Sequence, residues 1–390
     1  MAQPIPKRIL EKNLEALDKG TYTLLIDGNS LLEVAFHADK TVNRSGEHVG
    51  GTFQFLLQMK ILLSKRDFDY VYVFWDGDDS GELRYAIYPE YKANRNKKYN
   101  DDVVDSDYYK QIDKFVKNVL DKRNRETPIE KLNEKELFHR QRNRLQKYLE
   151  ELFVRQVMVD KIEGDDLIAY YCNNKKENDK IYIMSGDRDL TQLLGDNICL
   201  YVLVLKEFVT AENHKKILGI PHKNVLLKKI ICGDASDNIK GIKGVGEKTL
   251  LTLFPEIAER EVKLHEVVER CKILNEERVK EKKRPLKAYD NIINQISDGL
   301  HSGRVFEIND KIINLQNPLL SKEAIDELEN MMYVPIDSEG RGMANLYNLV
   351  CEDGIDGIMD ERRFSTFFST FNKSINKERE FLKKWIEENK

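Results

Sequence analysis

The 390-residue sequence predicts an α/β fold with a central, mostly parallel sheet flanked by helices. Three apolar runs, at residues 21–27, 70–76 and 180–187, each close on an aspartate. Helical stretches lie between them, as they must where parallel strands are joined by crossovers. No repeat or low-complexity linker interrupts the pattern, and a chain of this length buries a sizeable core in one elaborated domain or two.

The first run, Thr-Tyr-Thr-Leu-Leu-Ile-Asp, reads as a buried strand ending at Asp27, and Gly28, Asn29 and Ser30 turn it into an apolar helix start. The second ends at Asp76. The third passes through Gly186 to Asp187, with Asp189 two residues on. Ligands of such sheets gather at the carboxyl ends of the strands, so these acids mark a site.

Residues 88–95 (Tyr-Pro-Glu-Tyr-Lys-Ala-Asn-Arg) follow the second acidic end. Lys92 and Arg95 lie one helical turn apart there, a point charge and a planar fork suited to clamping a phosphate. Residues 92–155 hold 17 Lys and Arg against 12 Asp and Glu, a net of +5 that leaves −9 for the rest of the chain. A basic segment thus sits in an acidic body despite a formal charge of −4. Helices are expected at 108–120 and 129–152. Their basic residues alternate with Tyr99, Tyr108, Tyr109, Phe115, Phe138 and Tyr148, which suits either a solvated helical face or a surface that tracks a single strand.

Glu163, Gly164, Asp165 and Asp166 precede Leu-Ile-Ala-Tyr and fall in the first turn of a helix, where capping is the structural reading. Asp234 and Asp237 stand at i and i+3, followed by Gly241, Gly244 and Gly246 in a turn that also carries Lys243. Glycines there permit positive φ and close approach to a phosphate. Glu247, Lys248 and Thr249 begin the next helix. Beyond Leu253 the chain is helical and lysine-rich (276–287), and Phe364, Phe367, Phe368 and Phe371 repeat at i, i+3, i+4 and i+7, first of all a core-facing stripe.

Nine carboxylates in strand-end and turn positions, without His or Cys, suit Mg²⁺ or Mn²⁺ rather than Zn²⁺. Two such ions about 4 Å apart convert a water into a nucleophile and stabilise the leaving oxygen of a phosphodiester. The five cysteines are scattered and show no C-x-x-C pair, which argues against a zinc site or a disulfide framework. Without an apolar leader or a run of membrane-spanning length, a soluble cytoplasmic protein is expected.

In this order the motifs resemble the flap endonuclease and 5′-nuclease family, closest to bacteriophage 5′-3′ exonucleases and the 5′-nuclease domain of bacterial DNA polymerases. The resemblance covers residues 21–320 and rests on Leu24 to Ala38, Pro89 to Arg95, Glu163 to Asp166, Ser185 to Leu190 and Gly233 to Ile239. It implies a PIN-like core over 21–215, a helical arch over 96–153, a helix-three-turn-helix subdomain over 216–325, an N-terminal extension over 1–20 and a helical tail over 326–390. Asp27, Asp76, Glu163 and Asp165 would surround a first Mg²⁺, with Asp166 nearby. Asp187, Asp189, Asp234 and Asp237 would hold a second. Lys92 and Arg95 would position the phosphate, and Tyr91 would stack on the adjoining base. Gly241, Lys243, Gly244, Gly246, Lys248 and Thr249 would grip the duplex backbone, with a K⁺ on main-chain oxygens.

The activity implied is that of a 5′-3′ exonuclease and flap endonuclease acting on branched or flapped DNA and on RNA/DNA hybrid, RNase H-like in outcome. A monomer is expected, with replication proteins met through the tail and a role in bacteriophage replication or repair. Three features depart from the family: Asp78 and Asp79 replace a lysine-bearing turn, the N-terminal 20 residues precede the family's usual start, and the tail has no counterpart. A branch-binding protein without chemistry is the main alternative, and it predicts missing metal acids. A haloacid dehalogenase-type phosphatase would need Asp-x-Asp after the first strand, which Asp27-Gly28-Asn29 lacks.

Overall fold

The computed structural model describes residues 20–94, 134–337, 339–355 and 361–388. Its centre is a six-stranded sheet of β1 (Tyr22–Asp27), β2 (Tyr70–Asp76), β3 (Arg155–Val159), β4 (Lys180–Ser185), β5 (Ile198–Val202) and β6 (Glu207–Val209). The strand order is β3-β2-β1-β4-β5-β6. The first five strands run parallel, and β6 closes the edge antiparallel to β5. The order reverses at β1, which pairs with β2 on one side and β4 on the other, so the crevice at its carboxyl end is the switch point where such sheets bind ligands.

Alternate side chains serve opposite faces, as the pleat requires. Leu24, Ile26, Val71, Val73 and Trp75 join one apolar cluster with helices Gly28–Ala38, Gly50–Lys65 and Glu134–Glu151. Leu25, Tyr72, Phe74, Ile181 and Ile183 join the other, with helices Gly164–Asn173 and Lys322–Tyr333. A separate cluster built from Ile231, Ile242, Val245, Leu250, Phe254 and Cys271 forms under helices Val225–Cys232, Glu247–Leu253 and Leu264–Lys280.

The structure departs from the sequence reading in several places. Three strands, β3, β5 and β6, were not foreseen. The lysine-rich helix ends at Lys280, because Lys282 takes a φ of +56° and Pro285 follows; a second helix then runs over Lys287–Ile293. Phe138 and Tyr148 do not form a strand-tracking surface. Phe138 packs edge-on against Phe36 and Tyr148 is 1% exposed, whereas Tyr99, Tyr108, Tyr109 and Phe115 lie outside the described residues. The tail's phenylalanine stripe turns inward, with Phe367 stacked on Phe53 at 5.5 Å. That stripe is therefore covered by the chain's own core.

Candidate metal and nucleic-acid site

The site begins where β1 stops. Asp27 caps the helix that follows, accepting from Ser30 N at 2.9 Å, while its other oxygen accepts from Ser185 Oγ at 2.7 Å. Gly28 is needed at this junction, because a Cβ would meet the Trp75 ring at 2.5–2.7 Å. At the end of β2, Asp76 accepts from Gly164 N at 2.7 Å and from the side-chain amide of Asn29. Beyond β4, Asp187 N donates to Ser185 Oγ at 2.8 Å, and the Asp187 carboxylate receives Asp189 N at 2.7 Å.

These carboxylates feel one another. Burial pushes Asp27 up to about 7, reinforced by the charges of Asp76 and Asp187 and opposed by the bonds from Ser185 and Ser30. Asp165, in the first turn of helix Gly164–Asn173, is raised well above the usual carboxylate range by burial and by the charges of Asp27, Asp187, Asp76 and Glu163. The capping reading does not hold for Glu163, which stands at the N-cap without a side-chain cap bond.

Glu163 instead meets cations. Lys92, held at a φ of +51°, donates from Nζ to Glu163 Oε1 at 2.6 Å, and Arg84 Nη1 lies 3.1 Å from Oε2. Burial would raise the Glu163 pKa, but Arg84, Lys92 and the Tyr91 hydroxyl outweigh it and hold the group low. Tyr91 is 2% exposed and its hydroxyl donates to both Glu163 oxygens at 3.0 Å. A ring so enclosed presents no face to a base, so the stacking expected of Tyr91 is replaced by a role in holding Glu163. Asp166 is likewise occupied: Arg84 grips both of its oxygens, at 2.5 and 3.1 Å, while Arg84 Nε donates to Ile312 O at 2.9 Å. Arg95 lies outside the described residues.

A second group gathers around Lys229 of helix Val225–Cys232. Its ammonium pairs with Asp189 and, at 2.5 Å, with Asp234, which also accepts from Ser236 N at 2.9 Å. Burial and the Asp187 charge raise Asp189 to about 7 in spite of Lys229. Asp234 stays low because Lys229 outweighs its burial. Asp237 faces the other way, where its carboxylate accepts from the Tyr91 hydroxyl at 3.4 Å and its carbonyl from Lys92 N at 2.8 Å. The loop between them is tied to the basic segment by Asn94, which donates to Ala235 O at 3.1 Å, and by Asn238, which donates to Glu90 O at 2.7 Å.

Among the described residues no three His, Cys, Asp or Glu side chains converge as a ready-made metal cage. The carboxylates sit within reach of each other's charge yet apart, most of them fixed by a protein donor, which is where mutual repulsion leaves them. The donor set runs from buried Asp27 and Glu163 to exposed Asp187, is anionic and all oxygen, and fits a hard dication.

The glycine turn follows the hairpin of β7 (Gly233–Asp234) and β8 (Ile239–Lys240). Of its three glycines only Gly244 takes a positive φ, +75°; Gly241 is required by close approach to the Cys232 and Gly233 backbone, and Gly246 faces open space. Ile242 and Val245 anchor the turn in the core, and Lys243, Gly244, Gly246, Glu247 and Lys248 stand outward with Thr249 half-buried. The amides of Ile242, Lys243 and Val245 are spent on Ile231, Ile296 and Ile242 carbonyls.

Sequence reasoning missed Arg84, Lys229 and Arg142. Arg142, on helix Glu134–Glu151, donates from Nη2 to Asp76 O at 2.8 Å and lies 5.5 Å over the Trp75 ring. The partners of Arg84 and Arg142 are remote in sequence (82 residues for Arg84 and Asp166), and although Asp234 lies five residues from Lys229, its other partner Asp189 does not, so no local pattern announces the three.

A family model described as 5′-3′ exonuclease, N-terminal resolvase-like domain, matches residues 22–219. DNA polymerase I of Bacillus subtilis is 28% identical over 253 residues, which cover 63% of this chain and 24% of that protein. The 5′-3′ exonuclease of Mycoplasmopsis pulmonis is 27% identical over 227 residues, 58% of this chain and 63% of that one. The chain thus spans about a quarter of the polymerase and under two thirds of the exonuclease. Among solved structures, the T5 5′-exonuclease with divalent zinc ions bound superposes with a TM-score of 0.55 at 16% identity, covering 85% of this chain and 98% of that one. A bacteriophage T5 flap endonuclease variant in complex with DNA and metal ions gives 0.53 at 15% identity, covering 92% and 99%. At these identities the likeness is one of fold. Among the described residues no helix is long and apolar enough to cross a membrane.

Proposed function

The chain belongs to the 5′-3′ exonuclease family, and from that membership we propose that it is a Mg²⁺-dependent, structure-selective 5′ nuclease. It hydrolyses phosphodiesters in 5′ flaps and at the 5′ ends of DNA and RNA/DNA hybrid during replication or repair. The observation that carries this reading is the set of acids at the carboxyl ends of β1, β2 and β4, at the sheet's switch point, with Lys92 fixed on Glu163 beside them.

In this reading Asp27, Asp76, Glu163 and Asp165 hold one ion, and Asp187, Asp189, Asp234 and Asp237 the other. When bound, the ions supply an activated water and neutralise charge on the phosphate, with Mn²⁺ able to substitute. The chain's own residues do the positioning. Ser30 and Ser185 aim Asp27, and Asn29 with the Gly164 amide aims Asp76. The Tyr91 hydroxyl orients Glu163, and Lys92, already in the site, presents its ammonium to the phosphate together with Arg95. Asp166 serves by holding Arg84. Lys243, Lys248, Thr249 and the glycines of the turn meet duplex phosphates, contacts that carry no sequence preference, and main-chain oxygens of that turn offer a seat for K⁺. Any replication protein met through the tail would use its exposed charged side, because the phenylalanine stripe is buried.

One observation favours a second reading, a branched-DNA-binding protein without chemistry. Lys229 already neutralises Asp189 and Asp234, as Lys92 and Arg84 neutralise Glu163. Asp187→Ala separates the two. The nuclease reading expects this variant to bind a flap duplex in Ca²⁺ as the wild type does while releasing no 5′-labelled product in Mg²⁺. Equal cleavage by both proteins would refute the site assignment. Binding by both, with cleavage by neither, would favour the second reading.

A further inference from the structure

Helix Glu134–Glu151 is held along its middle and its C-terminal half by different parts of the molecule. Its middle reaches the carboxylate site, where Arg142 Nη2 donates to Asp76 O at 2.8 Å, while the neighbouring Gln141 Oε1 accepts from Thr52 N of helix Gly50–Lys65 at 3.0 Å. Its C-terminal half is gripped by the tail. Arg144 Nε lies 2.7 Å from Asp353 Oδ1, and Arg144 Nη2 donates to Glu352 at 2.9 Å and to Leu349 O at 3.1 Å. The Tyr148 hydroxyl donates to Asp353 Oδ2 at 2.7 Å, and Glu151 accepts from Gly342 N at 2.8 Å. Asp353 is itself anchored, because its carbonyl accepts from Asn43 Nδ2 at 2.8 Å. Between these bonds the helix rests on Leu145 and Leu149, and the tail helix Met343–Glu352 adds Leu346 and Val350 to the same cluster.

We propose that Asp353 is a positioning residue for the cleavage site, acting through this helix. The inference rests on the nuclease reading above. Apolar contacts are non-directional and permit a helix to slide or roll. A single carboxylate bound to Arg144 and Tyr148, four residues apart on one helix face, sets both rotation and axial position. Arg142 shares that helix, so the register fixed at Asp353 reaches the backbone of Asp76. A helix advances about 1.5 Å per residue, and a misplacement of about 1 Å costs a catalytic geometry on the order of 100-fold. A partial slip would therefore register in turnover. The tail, which has no counterpart in the sequence resemblance, thereby acquires a role inside the enzyme rather than outside it.

The test compares wild type, Asp353→Ala, Asp353→Glu and Tyr148→Phe, all in the full chain. Asp353→Ala is expected to bind a flap duplex in Ca²⁺ within about twofold of wild type, with its KM similarly little changed. Its kcat should fall about tenfold, by analogy with the loss a displaced site suffers. Amide exchange across residues 134–151 should quicken. Asp353→Glu should recover part of the loss, and Tyr148→Phe, which removes one bond only, should show the same change in smaller measure. A lower melting temperature with kcat per folded molecule and helix exchange both unchanged would overturn the proposal, leaving Asp353 a merely structural residue. If Asp353→Ala does not fold, Tyr148→Phe decides on the same two readouts. Failure of the wild type to cleave would sink the nuclease reading, whereas the exchange comparison would still decide whether Asp353 fixes the helix.

Discussion

Arg84 ties helix Gly164–Asn173 to helix Val305–Ile313, and its removal is the sharpest test of how the site is held. The guanidinium makes two bonds to Asp166, which is 1% exposed, one ion pair to Glu163 and one bond to the Ile312 carbonyl. Arg84→Met leaves the Asp166 carboxylate buried without its cation. Removing one partner of a buried ion pair costs about 3–5 kcal/mol. The orphaned Ile312 carbonyl adds about 1 kcal/mol at the low end of such penalties. The Glu163 contribution is smaller because Lys92 remains. The loss is thus about 4–6 kcal/mol, a large share of the ~5–15 kcal/mol that stabilises a typical domain. Burial already raises the Asp166 pKa even with Arg84 present, and without it the pKa rises further. An acid whose folded pKa is raised loses stability as pH climbs from its unfolded value to its folded one. The deficit should therefore shrink on acidification from pH 7.5 to pH 5. Urea unfolding followed by circular dichroism measures both effects. The double variant Arg84→Met/Asp166→Leu, with neither charge buried, should regain most of the loss. A single-variant deficit below about 1 kcal/mol, far short of the value for a broken buried pair, or a double variant as unstable as the single, would refute this account.

Three further outcomes are expected. Gly28→Ala should destabilise the protein by about 1–3 kcal/mol through overpacking against Trp75, read as a lower urea midpoint. Mg²⁺ should raise the melting temperature more at pH 7.5 than at pH 5.5. Asp27 and Asp189, both pushed to about 7, are protonated in the metal-free fold at the lower pH, so binding there must first displace protons. Lys92→Ala should lower flap cleavage by about 100-fold, the order of loss for one electrostatic donor. Because Lys92 sits on Glu163 in the proposed cleavage site and not on the outward face of the glycine turn, duplex binding in Ca²⁺ should be nearly unchanged.

The parts of this architecture that the sequence disclosed are those whose cause is local. The strands β1, β2 and β4 are apolar on both faces, and each runs into an acid, so their burial and ends could be read without partners. The acid-bearing first turn of helix Gly164–Asn173 and the start of helix Glu247–Leu253 were equally local. Strand β3 escaped because it opens with Arg155, a charge made buriable by Glu378, 223 residues away, and by the Met332 and Val334 carbonyls. Tyr91 was misread for a related reason. Beside Lys92 in a basic segment it looked like a stacking ring, and only the fold reveals that Glu163 takes its hydroxyl. Tyr148 was turned from surface to core by the tail, whose docking on helix Glu134–Glu151 leaves no mark in that helix's own charged sequence, and Phe138 was half-buried against Phe36.

Cleavage of a 5′-labelled flap duplex tests most directly whether the strand-end acids make this chain a metal-dependent 5′ nuclease. Wild-type protein should release labelled product in Mg²⁺ and none in chelator, with product length separating flap incision from end trimming. An intact label in both Mg²⁺ and Mn²⁺, on a duplex the protein demonstrably binds, would contradict it.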